Sequence, residues 1–223
     1  MQKGTKIFTI LLCLTVLFGI ISFSLEVRVG DKAVIADEGI RPAQMTAHDK
    51  ELLKKFGLDS NNMALLSFAA PKEAKGMMLD TMIWRDGEWE PYTFCGGVSL
   101  SDADIEEYGR LYGELAIILN TERESQTRLV DERELEFRMM LGSGTLGVTY
   151  ANLENDGSDE YLAQGIVFLD AKREIVLGEK IPVAMLLSNK ESSMPVVSTE
   201  LYNAPDERFD MVDEVIAVTV TFI

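Results

Sequence analysis

MMLDTMIWRDGEWEPYTF, residues 77–94, consists of two apolar and aromatic runs joined by Asp86-Gly87. That dipeptide suits a two-residue type I′ turn, in which both central residues take positive φ. The turn sets a register: Arg85 falls opposite Glu88, and Trp84 opposite Trp89. Met78, Met82 and Trp84 then share one face, while Leu79, Ile83, Tyr92 and Phe94 share the other. Both faces are apolar, as in a strand covered on two sides.

The same two-residue period recurs on either side of this hairpin. Upstream, MALLSFAA is an apolar run ended by Pro71. Downstream, GELAIIL alternates Leu115, Ile117 and Leu119, and ELEFRMML sets Leu135, Phe137, Met139 and Leu141 against Glu134, Glu136 and Arg138. TLGVTY offers Leu146, Val148 and Tyr150 as one face, IPVAMLL offers Ile181, Val183, Met185 and Leu187, and VIAVTVTFI offers Ile216, Val218, Val220 and Phe222. AQGIVFLD and REIVLGE add two more apolar runs, and DADIEEYGRLYG reads as a loop with a helical turn. Nine or ten short strands punctuated by turns predict an all-β domain over residues 61–223. The architecture expected is an antiparallel β-sandwich, immunoglobulin-like, C2-like or jelly-roll-like, with its topology left open.

Upstream of the sandwich the pattern changes. Residues 7–24, IFTILLCLTVLFGIISFS, carry no charge and follow Lys3 and Lys6. This is expected to be a signal peptide or an uncleaved single-pass transmembrane anchor, with the N-terminus inside and residue 25 onward outside. Ser22 and Ser24 suit a signal-peptidase site, and a cut after Ser24 would release a secreted chain. Residues 25–60 then hold a predicted short hairpin, LEVRVGDKAVIAD, and a short juxtamembrane helix. Thr46 is its N-cap, with Asp49 three residues on, and Gly57 is its stop. The segment is a possible spacer.

Charge and residue usage exclude much chemistry. Lys and Arg number 21 against 37 Asp and Glu, and the first 24 residues hold two of the lysines and no acid. Residues 25–223 therefore carry 19 positive against 37 negative side chains, a net charge of −18. Such a surface repels phosphate backbones, so nucleic acid is not an expected partner. The single histidine, His48, removes most Ser-His and Cys-His schemes and most zinc sites. Cys13 lies within the apolar run, which leaves Cys95 without a disulfide partner in the body, and a buried, inert thiol is expected there. The chain has no Walker loop, dinucleotide fingerprint, HExxH or CxxC.

Three constellations remain. In NLENDGSDEY, residues 152–161, Asn152, Glu154, Asp156, the Ser158 carbonyl and Glu160 occupy positions 1, 3, 5, 7 and 9 of a calcium-loop pattern, with Gly157 at position 6. The stretch is similar to the acidic loops of integrin-type propeller repeats and dockerins. That resemblance covers about ten residues. Ala163 stands where a bidentate Glu belongs, and the loop occurs once. The alternative is a hairpin between TLGVTY and YLAQGIVF, with Asp156-Gly157 at its turn. Second, Trp84 and Trp89, with Tyr92 nearby, form either an aromatic platform for a sugar or peptide or a core pair. Third, Asp102, Asp104, Glu106, Glu107, Glu132, Glu134 and Glu136 are acids that a hydrolase would have to pair across a cleft.

The expected function is that of a non-catalytic extracytoplasmic module, tethered or secreted, that binds a protein or cell-envelope partner. No resident cofactor is expected. The alternatives are a calcium-dependent or carbohydrate-binding module and an acid-pair hydrolase.

Overall fold

A computed structural model of the chain describes residues 37–55, 58, 61–120, 133–153 and 161–223. The apolar run 7–24 and all but the last residue of the hairpin expected at 25–37 lie outside these residues. Among those described, no helix is long and apolar enough to cross a membrane.

Among the described residues, ten strands build two antiparallel five-stranded sheets, a β-sandwich. They are β1 (Gly39–Pro42), β2 (Met63–Ala69), β3 (Gly76–Arg85), β4 (Glu88–Ser99), β5 (Tyr112–Asn120), β6 (Arg133–Leu141), β7 (Leu146–Leu153), β8 (Ala163–Phe168), β9 (Lys180–Asn189) and β10 (Glu214–Phe222). The first sheet has the order β1-β2-β5-β6-β7, and the second has β4-β3-β10-β9-β8. The chain changes sheet after β2, β4 and β7. β7 and β8 are therefore strands of different sheets, and the hairpin expected between them does not form. REIVLGE is also not a strand. It is a connection whose Arg173 exchanges backbone hydrogen bonds with Ile40, at 2.9 and 2.8 Å, and so pairs with β1. The sheet thus recruits Gly39–Pro42, upstream of residue 61.

The β3–β4 turn forms as its residues dictate, with φ of 50° at Asp86 and 86° at Gly87. Trp84 lies opposite Trp89, and Arg85 opposite Glu88. Between the sheets, Leu66, Leu115, Ile117, Leu135 and Phe137 meet Met77, Leu79, Val183, Ile216, Val218 and Val220 in one buried core. Phe68 of the first sheet and Phe222 of the second pack 5.5 Å apart between ring centroids, an offset contact worth about 1 kcal/mol beyond its buried area.

Three alternations depart from expectation, two of them at bulges. On β4, pairing skips Tyr92 and Cys95, so both turn into the core while Phe94 faces outward and is 66% exposed. Phe94 therefore leaves the face it was expected to share with Leu79, Ile83 and Tyr92. On β9, pairing to β10 skips Val183. Ile181 and Val183 face the core from one side of this bulge, Ala184 and Leu186 from the other, and Met185 and Leu187 join a second cluster outside. The third departure is on β7, where no bulge intervenes. Phe137 pairs with Thr149 and Leu135 with Ala151, so the small residues of β7 face the core. Leu146, Val148 and Tyr150 face out.

Among the described residues, two short α-helices flank the sheets. α1 (Ala47–Lys55) starts at the expected cap: the Thr46 hydroxyl donates to Asp49 Oδ2 at 2.7 Å, and the Asp49 amide donates back to it at 3.2 Å. α2 (Asp102–Tyr108) occupies the stretch read as a loop with a helical turn, and extends that turn to seven residues. Ser101 and Asp104 cap it in the same reciprocal way, and Gly109 follows at φ 78°.

Candidate functional site

The tryptophan pair sits on the outer face of the second sheet, under the β9–β10 connection. The Trp84 and Trp89 rings are 5.2 Å apart and edge-on. Phe209 packs on both at 5.4 and 5.7 Å, and Tyr202 stacks on Trp89 at 4.8 Å. The Trp89 indole Nε1 donates to the Tyr202 carbonyl at 2.9 Å. Met82, Met185, Leu187, Val197, Leu201 and Val215 complete this second apolar cluster. Both indoles are half-buried. Tyr92 is not with them, because it packs against the core between the sheets.

Of the calcium-loop residues, only Asn152 is described. It is exposed near the end of β7, opposite Glu134. Glu154, Asp156, Ser158 and Glu160 lie outside the described residues. Among those described, no three His, Cys, Asp or Glu side chains gather in a way that could hold a metal ion.

The carboxylates scatter. Asp102 pairs with Lys75 at 3.0 Å, and Asp104 caps α2, where the Ser101 hydroxyl and amide hold its carboxyl below the usual range. Glu106 and Glu107 are exposed on α2. Glu136 and Arg138 are buried as an ion pair on the outward side of β6, with Arg138 Nε and Nη2 both directed at Glu136 Oε1. Glu134 is half-buried on the same side, and Glu132 lies outside the described residues. On β5, burial pushes the Glu114 carboxyl above its ordinary range.

β7 was legible as a strand, but the sequence pattern concealed which of its faces is exposed. It ends the first sheet, and among the described residues its backbone ladder runs to β6 alone. Its eight residues, LGVTYANL, carry no charge and no proline. Leu146, Val148 and Tyr150 are 48, 46 and 50% exposed in a row. The other edges are protected by means that natural sheets commonly use. β4 carries Glu88, Glu90 and Pro91, and the Arg173 backbone pairs with β1. β8 has six residues, of which only Gln164 is exposed. Gly147, Thr149 and Ala151, alternating opposite the large residues of ELEFRMML, are the signal that could have revealed the outward face.

No family model, curated protein or solved structure matches this chain.

Proposed function

We propose that the chain is a non-catalytic, extracytoplasmic binding module that engages a protein or cell-envelope partner by adding a partner strand to the edge of β7. The observation that carries this reading is the uncharged edge strand with three half-exposed apolar side chains in a row. An edge of this kind offers a row of backbone donors and acceptors for affinity, and alternate side chains for selection. Support for export comes from the uncharged run 7–24 after two lysines. Support for binding over catalysis comes from a chain with one histidine and no nucleophile or cofactor motif.

The test is site-specific photo-crosslinking in cells making the full chain. A photoreactive residue at Val148 should give a discrete adduct that protease added to intact spheroplasts can reach. The same residue at Glu207, exposed on the β9–β10 connection, should not give it. An identical adduct from both positions, or none from Val148, would count against the reading.

A further inference from the structure

The second sheet carries an open aromatic ring on the same face where its tryptophans are capped. Phe94 is 66% exposed on the outward side of β4, and among the described residues no other ring packs on it. Beyond the bulge at Cys95, the next outward position of β4 is Gly97, opposite Met78. Gly97 is exposed, and a Cβ there would come within 2.7 Å of the Met77 carbonyl oxygen, so no side chain can stand in that place. The surface beside the Phe94 ring is therefore bare backbone over the half-buried Met78.

Polar groups border this apolar floor. Asp80 lies directly opposite Phe94 and is half-buried, and Lys180 Nζ donates to its Oδ2 at 3.0 Å. Burial, and secondly the Asp80 carboxylate, push the Tyr202 hydroxyl above its ordinary range. That phenol belongs to the outer cluster, on the same side of the sheet. The Asp80–Lys180 pair is neutral as a unit and presents both an acceptor and a donor. An anionic ligand is opposed by the −18 carried by residues 25–223. A cationic one would have to displace Lys180 from Asp80. A neutral sugar matches what remains, because its C–H face is apolar and its rim carries hydroxyls that both donate and accept.

We infer that Phe94, Asp80 and Lys180 form a subsite for a neutral saccharide, with one sugar ring stacked on Phe94 over Gly97 and its hydroxyls bonded to the ion pair. The subsite is on the second sheet and stands independently of strand addition at β7.

The test titrates cellotetraose, chitotetraose and maltotetraose into the full chain held in a sugar-free detergent, read by saturation-transfer NMR. At least one of the three should bind. Phe94→Leu keeps an apolar side chain without a ring face and should weaken that binding about fivefold, whereas Phe94→Tyr should stay within about twofold. Asp80→Asn should also weaken it about fivefold. Val148→Lys, on the other sheet, should leave it unchanged. Circular dichroism of each variant should match that of the parent chain. Binding of none of the three sugars would overturn the inference, as would binding equally tight in Phe94→Leu. Tetragalacturonate binding as tightly as the neutral sugars would overturn the charge argument and the inference with it. A hexaproline peptide that binds through Phe94 where no sugar does would assign the ring to a peptide instead.

Discussion

The Trp89 indole donates to the Tyr202 carbonyl oxygen at 2.9 Å and stacks on the Tyr202 ring at 4.8 Å, across 113 residues of chain. One side chain thus supplies both a hydrogen bond and an aromatic face to the segment that covers the second sheet. Replacing Trp89 by Phe keeps a ring and removes the donor, at an expected cost of about 1 kcal/mol. Trp89→Ala also removes the half-buried ring and should cost about 2–3 kcal/mol. Urea unfolding followed by circular dichroism checks both; equal costs would mean that the hydrogen bond is immaterial.

Arg138 and Glu136 form a buried pair, so breaking it and replacing it should differ sharply. Arg138→Met leaves the Glu136 carboxylate buried without its cation and should cost about 3–5 kcal/mol. Adding Glu136→Leu should recover most of that loss, because two apolar residues need no partner. A double variant as unstable as the single one would show that the pair itself supplies the stability.

Burial pushes the Cys95 thiol up to about 11. The unfolded thiol ionises near its ordinary value of about 8.5. Stability from the neutral buried thiol is therefore complete below that value and is lost as pH rises toward about 11, at most about 3 kcal/mol. Cys95→Ala should unfold with a correspondingly flatter alkaline limb. In the native protein at neutral pH the thiol should resist alkylation until urea is added.

Gly96 and Thr149 tie β4 to β7, the edge strands of the two sheets. Gly96 has φ of 121°, and a Cβ there would come within 3.2 Å of Thr149 Oγ1. That hydroxyl donates to the Cys95 carbonyl. Gly96→Ala should cost about 1–3 kcal/mol through strain, and Thr149→Val about 1 kcal/mol. Because both act on one contact, the double variant should cost less than the two added. Additive losses in thermal unfolding would separate the two effects.

The elements that could be read from residue pattern share a physical trait. In β6 and β10 the apolar side chains are large on one face, so one face must be buried whatever lies beside it. In the β3–β4 hairpin the Asp86-Gly87 turn holds the register locally. The candidate site lacked that trait. Leu146, Val148 and Tyr150 are the larger set on β7, and size alone argues for burying them. The aromatic cluster was half legible: Trp84 faces Trp89 through a two-residue turn, but Tyr202 and Phe209 reach them from more than 100 residues away. Tyr92 and Phe94 were misplaced relative to one another because a bulge inserts a residue where the pattern offers no mark.

By itself the sequence determined that this protein is made of paired strands with one tight hairpin and an acidic body, since side-chain period, turn residues and charge are local properties. Only the tertiary structure decided which strands share a sheet and which side of β7 meets solvent. The reason is parity. A strand has two faces and no local preference between them, and pairing with a neighbour selects one. β6 buries Leu135, Phe137 and Met139, and the space opposite them accommodates only Ala151, Thr149 and Gly147.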